Sequence, residues 1–205
     1  MNERAKPRFL LALSAALALC GAVSTAGCSE APAEAPPLEG ARLGGAFTLT
    51  DQDGRKLASE TAFKGKYRLV YFGFTFCPDV CPVDLQQIGQ AMRQLEKSDP
   101  AKAAKVQPVF ITVDPERDTP PVMKQYVAAF HPRLIGLTGT PEEIAQVAKL
   151  HGVYYSKGEK GGESGYLMDH SRIALLFGPD GKPISILPHE KGAPAIAAEL
   201  DRWVT

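Results

Sequence analysis

An apolar, aromatic run, Tyr67 to Phe76, passes directly into a stretch of helical character, Val83 to Lys97, and two cysteines stand at the junction. The junction reads Phe76-Cys77-Pro78-Asp79-Val80-Cys81-Pro82. A strand apolar on both faces must be covered on both, which points to layered α/β architecture. The turn leaving the carboxyl end of such a strand is where α/β folds place their chemistry. Two thiols there can close a disulfide or grip a soft metal ion. Pro82 suits the first helical turn, where a missing N–H costs nothing.

The elements on either side extend the pattern. Ala46 to Thr50, an Asp53-Gly54 turn and Lys56-Leu57 read as an N-terminal hairpin. Val106 to Val113 is a second buried strand, and Leu134 to Leu137 a short one. Thr119-Pro120-Pro121 opens a helix to Phe130, and Thr140-Pro141-Glu142-Glu143 opens another, each by a cap residue followed by proline. Gly152 to Tyr155 reads as a further strand, and Ser156 to Gly165 as a glycine-rich, charged loop. Ile173 to Phe177 and Pro183 to Leu187 form a final hairpin around Pro179-Asp180-Gly181. Ala193 to Val204 is the last helix, with Ile196, Leu200 and Trp203 on one face. The expected fold is α/β: a central mixed sheet flanked by helices, with an N-terminal hairpin extension and a loop insertion before the final hairpin. A dithiol after a long strand, with a late hairpin and helix, resembles the thioredoxin fold.

The N-terminus differs in kind. Arg4, Lys6 and Arg8 precede an apolar run, Phe9 to Val23, that ends in the small residues Ser24-Thr25-Ala26-Gly27-Cys28. This is the layout of a secretory signal, and Ala26-Gly27-Cys28 resembles a bacterial lipobox. The organisation read here is a lipoprotein-type signal over 1–27, lipidation at Cys28, a flexible Ala/Pro/Glu-rich linker over 28–40, and one domain over 41–205. The alternative is an uncleaved anchor, since Phe9 to Gly27 is long enough to cross a bilayer. Both readings put the folded part on the extracytoplasmic, periplasmic face, held to a membrane. With 23 basic and 23 acidic residues, nothing suggests a nucleic-acid partner. Removal of 1–27 leaves Cys77 and Cys81 as the two unmodified thiols, so they are expected to act as a pair.

Cys77 and Cys81 are i and i+4, which on a helix places them on one face. A helix N-terminus lowers the pKa of a thiol. A stabilising disulfide closing so short a loop removes little unfolded-state entropy. Three intervening residues, one more than the usual redox motif, widen the bite and suit a metal. Of the four histidines, His131, His151 and His189 read as structural, with His151 at a helix C-terminus where a partly charged imidazole suits the dipole. His170, in Met168-Asp169-His170-Ser171, lies just before the strand Ile173 to Phe177. In thioredoxin relatives that position, facing the dithiol, is normally proline. Two thiolates and one imidazole select Cu(I) and also hold Cu(II), while zinc accepts the set equally well by geometry.

These motifs, together with Val113-Asp114-Pro115-Glu116-Arg117-Asp118-Thr119-Pro120, resemble the Sco/SenC family of copper-binding assembly factors for cytochrome c oxidase. The resemblance covers about residues 40 to 204. It implies that Cys77, Cys81 and His170 hold one copper ion per chain, as Cu(I) and also Cu(II), with Asp114, Asp79 and Asp169 beside the ligands. It implies receipt of copper from a periplasmic donor, delivery to the binuclear copper centre of oxidase subunit II, and membrane attachment through the N-terminal lipid. The alternative reading is a thiol-disulfide oxidoreductase acting on the cysteines of that subunit or of other extracytoplasmic proteins, with Cys77 and Cys81 as its redox pair. A peroxidase of the peroxiredoxin type would want Thr three residues before its cysteine, where this chain has Phe74.

Overall fold

The computed structural model describes residues 34–160 and 165–205. The signal, Cys28 and the start of the expected linker lie outside them. Among the described residues no helix is long and apolar enough to cross a membrane.

The strands are β1 (Thr48–Asp51), β2 (Lys56–Ala58), β3 (Tyr67–Gly73), β4 (Val106–Thr112), β5 (Ile135–Thr138), β6 (Tyr155–Lys160), β7 (Tyr166–His170), β8 (Ala174–Phe177) and β9 (Pro183–Ile186). The helices are α1 (Ser59–Ala62), α2 (Val80–Ser98), α3 (Pro100–Lys105), α4 (Pro120–Ala128), α5 (Pro141–Leu150) and α6 (Ala193–Trp203), with a 3₁₀ turn at His189–Lys191. Seven strands form one mixed sheet in the order β2-β1-β5-β4-β3-β8-β9. β3, β4 and β5 run parallel, while β1 and β8 join antiparallel on either side. This is the expected thioredoxin-like sheet with its N-terminal hairpin extension. Gly54 turns that hairpin at φ 79°, a conformation that favours glycine.

β3 lies inside the sheet between β4 and β8, and all seven of its residues are buried. Alternation along it sends Tyr71 toward α2, where it reaches Asp84, and Phe72 toward the end of α5, where it packs on His151. Both faces are therefore covered, which is why the strand reads as continuously apolar. α2 turns Cys81, Leu85, Ile88, Met92 and Leu95 inward, and α6 packs against it through Ile196 and Leu200. α5 carries the expected capping box between Thr140 and Glu143. Thr119 caps α4 by position only, with no side-chain bond.

Two regions depart from expectation. The insertion before the final hairpin is not an open loop: β6 and β7 pair antiparallel as a separate two-stranded sheet, joining Tyr155 to His170 and Ser156 to Asp169. The described end of the expected flexible linker is a docked turn. Leu38 N–H donates to the Ile184 carbonyl at 3.0 Å, and its side chain packs on the core.

Candidate metal centre

The site forms where β3 ends. Phe74 is buried, the chain turns through Thr75, Phe76 and Cys77, and α2 begins at Val80. Only Cys81 is helical, so the two cysteines do not share a helix face. Cys77 sits in the preceding turn, and its sulfur accepts the Cys81 backbone N–H at 3.4 Å. Asp79 occupies the cap position without a side-chain cap bond, so sulfur takes over the role usually filled by a side-chain oxygen. Gly73 makes room: a Cβ there would lie 2.9 Å from the Cys81 sulfur.

The two thiols are driven apart in acidity. Cys77, partly exposed, is pushed far below the ordinary thiol range by the Cys81 thiol that donates to it. Cys81, fully buried, is pushed up by the same contact and by desolvation. The pair therefore holds one thiolate and one thiol.

β7 brings His170 to this turn. Its Nε2 lies 3.4 Å from the Cys81 sulfur, and its ring stands edge-on to Phe74 at 5.9 Å. Nδ1 lies 3.1 Å from the Ser171 carbonyl, which can only accept. The proton belongs on Nδ1, and the Nε2 lone pair faces the cysteines. The proposed ligands are thus neighbours. Among the described residues no three His, Cys, Asp or Glu side chains are gathered at metal-holding distances.

Of the three carboxylates expected beside the ligands, Asp114 alone is built into the surroundings. It is buried, pairs with Arg117 Nε, and accepts from the Tyr166 hydroxyl at 2.7 Å. Arg117 also donates to the Tyr166 carbonyl at 2.9 Å and lies over the rings of Tyr166 and Phe76, at 3.7 and 4.7 Å. This cluster fastens β7 to the turn after β4. Asp79 and Asp169 are exposed, and Asp169, next to His170 on a strand, points to the opposite face.

Two buried carboxylates went unnoticed in the sequence. Asp84, one turn beyond Cys81, accepts from Tyr71 at 2.7 Å and from Arg172 Nε at 2.6 Å, and lies 3.6 Å from His189. Since Arg172 follows His170 by two residues, this pair ties the His170 segment to the Cys81 helix. Asp118 accepts from the Thr75 N–H and hydroxyl and from Thr112, fixing the turn that presents Cys77. Asp84 could have been suspected from its place on the inward stripe of α2, between Cys81 and Leu85. The other histidines are structural. His151 is not partly charged at a helix end but buried among Phe47, Phe72 and Phe177.

A family model described as SCO1/SenC matches residues 35–205. The mitochondrial SCO2 homolog of Bos taurus is 51% identical over 137 residues, which is 67% of this chain and 50% of that protein. The structure of Bradyrhizobium japonicum ScoI with copper bound is 42% identical, with a TM-score of 0.70 over 78% of this chain and 99% of that one. Yeast Sco1 with copper bound is 36% identical, with a TM-score of 0.71 over 79% and 88%. The chain spans about half the length of the curated relatives it matches.

Proposed function

The chain belongs to the SCO1/SenC family, and on that premise we propose that it is a membrane-tethered copper carrier, delivering one ion to the binuclear copper centre of cytochrome c oxidase subunit II. The observation that carries this reading is the convergence of His170 Nε2 on the Cys81 sulfur, 3.4 Å away and beside Cys77. Solved relatives of the same fold are described with copper bound.

The donor set fits that cargo. Two sulfurs and an imidazole are soft ligands of low number, suited to Cu(I) and able to hold Cu(II). Cys77 meets the ion as a thiolate, Cys81 gives up its proton on ligation, and His170 offers a lone pair held in place from Nδ1. Cys77 is partly exposed, so an acceptor's ligand can approach from its side.

The test is copper stoichiometry with absorption and EPR spectra of the full chain, under reducing and oxidising conditions. One ion per chain is expected, lost in Cys77→Ala, Cys81→Ala and His170→Ala. Unchanged affinity and spectra in His170→Ala would defeat the three-ligand site.

A thiol-disulfide role is favoured by one observation: a partly exposed Cys77, its pKa lowered by a buried Cys81 beside it, is the arrangement of an attacking and a resolving thiol. The two readings separate at His170. Reduction of a protein disulfide that survives His170→Ala supports the redox role, and its loss along with copper supports the carrier.

A further inference from the structure

At the other end of β3 lies a charge without a counterpart. Arg68, the second residue of that strand, is 6% exposed. Its guanidinium stacks over the Phe177 ring at 5.3 Å. Among the described residues it makes no hydrogen bond and no ion pair, whereas the buried Asp84, Asp114 and Asp118 are each held by at least two donors. Desolvation lowers its pKa and Asp180 opposes this from a distance, but an arginine keeps its charge. Asp180 is itself engaged by the Lys182 N–H and ammonium. The Arg68 nitrogens still reach solvent through a hollow beside them, so an anion could replace the water there and pair with a charge whose side chain is otherwise buried.

The guanidinium opens into a cavity of about 290 Å³, between the start of β3 and the Pro179–Gly181 turn. Lys64 and Ser59 also line it. The Ser59 oxygen accepts the Phe47 N–H, leaving its own proton to donate. A forked guanidinium, a mobile ammonium and a hydroxyl form a donor set matched to phosphate oxygens. The volume is at the small end for ligand sites, with room for a phosphate group together with part of what it is attached to. We propose that this hollow is a binding site for a phosphate group, anchored by Arg68.

The site is independent of copper. It lies at the end of β3 opposite the cysteines, on the same end as Gly45 and Ala46, which line it as the chain enters the domain. Free phosphate and a phospholipid headgroup share the required chemistry. Glu60 and Asp180 line the hollow as well, and as exposed carboxylates they compete for Arg68. They therefore keep the affinity modest.

The experiment is thermal unfolding of the full chain in detergent, at matched ionic strength. It is run with inorganic phosphate and, separately, with dihexanoyl phosphatidylglycerol against dihexanoyl phosphatidylcholine below micelle formation. Saturable stabilisation is expected, about 3 °C at ten times Kd. Arg68→Gln should abolish it, Lys64→Gln should weaken it severalfold, and Glu60→Gln should strengthen it. Lys64 and Glu60 are exposed, so these two variants test the site even if Arg68→Gln folds poorly. A response to phosphate assigns a free anion, and a response confined to phosphatidylglycerol assigns a headgroup; both uphold the site. No saturable shift from either, or shifts unaltered in Lys64→Gln and Glu60→Gln, overturns it.

Discussion

Asp84 is the residue on which the candidate centre most depends without supplying a ligand. It is fully buried, its donors come from two places, Tyr71 on β3 and Arg172 after β7, and His189 lies 3.6 Å away. Arg172 is exposed and keeps its hydration without Asp84, whereas the buried Tyr71 hydroxyl would face a weaker acceptor. Asp84→Asn is therefore expected to destabilise the fold by about 2 kcal/mol, read from urea melts. Arg172→Lys keeps the charge and loses the fork, so it should cost less while still loosening His170. The measurement is Cu(II) EPR: an unaltered spectrum in Arg172→Lys would show that this pair supports the fold and leaves the site untouched. His151 makes the pH prediction. Burial pushes its pKa down to about 4, below the ordinary value of about 6.5 in an unfolded chain. The unfolded state then binds the extra proton, so stability is lost as pH falls from about 6.5 toward 4, by up to about 3 kcal/mol. His151→Gln should flatten that dependence between pH 7 and 4.5, leaving the smaller share from His131, which burial also lowers. An unchanged slope refutes the assignment.

At the scale of elements, the β6–β7 hairpin decides whether His170 is in place. It pairs with itself and not with the main sheet, and Arg117 and Tyr166 fasten it. Tyr166→Phe removes the bond to Asp114 and keeps the ring beneath Arg117. It should speed amide exchange over 166–170 and weaken copper binding severalfold, with little change in melting temperature. Copper should slow that exchange in the unmutated chain, and equal exchange with and without copper would mean that the hairpin is already as ordered as it becomes. The hairpin is also where sequence reading fell short. Main-sheet strands announce themselves by apolar content, because they are buried on both faces, and β3, β4, β5 and β8 were legible for that reason. Ser156 to Lys160 has no apolar alternation. Its order comes from pairing with β7 and from Lys157, which binds Glu116 at 2.7 Å and lies over the Tyr166 ring. Contacts across such distances in sequence leave no periodic trace. The proposed ligands were legible because chemistry marks them, as cysteines at a strand-to-helix turn and a histidine before a strand. Asp84 and Asp118 were not, since a buried carboxylate looks like a surface one until its donors are known. The start of α2 was read at Val83, three residues late, because i, i+4 spacing cannot tell whether the helix has already begun.

For the molecule as a whole, what matters is which end faces which way. β3 runs from Tyr67 toward Gly73, and the cysteines follow its far end. Leu38, near the start of the described chain, is bonded to Ile184 on β9. The register puts Phe177 opposite both Arg68 and Pro183, so Ile184 lies level with the near end of β3. Seven residues at about 3.3 Å each separate the two ends by about 20 Å. The described domain thus begins at the end remote from the proposed metal ligands, and the proposed tether on Cys28 would enter it from that end. Two consequences can be measured apart. Cys28→Ser should shift the protein from the membrane to the soluble fraction while copper affinity stays as it was, because the described chain enters the domain at the end remote from the proposed ligands. Delivery should fall even so, since a released carrier loses the effective concentration that a shared membrane gives it over its acceptor. Fractionation with mass spectrometry of the mature N-terminus reads the first consequence, and oxidase activity in cells carrying the variant reads the second. An intact Met1 on the membrane-bound form would replace lipidation with an uncleaved anchor. Lost copper affinity in Cys28→Ser would break the separation between tether and site that the topology implies.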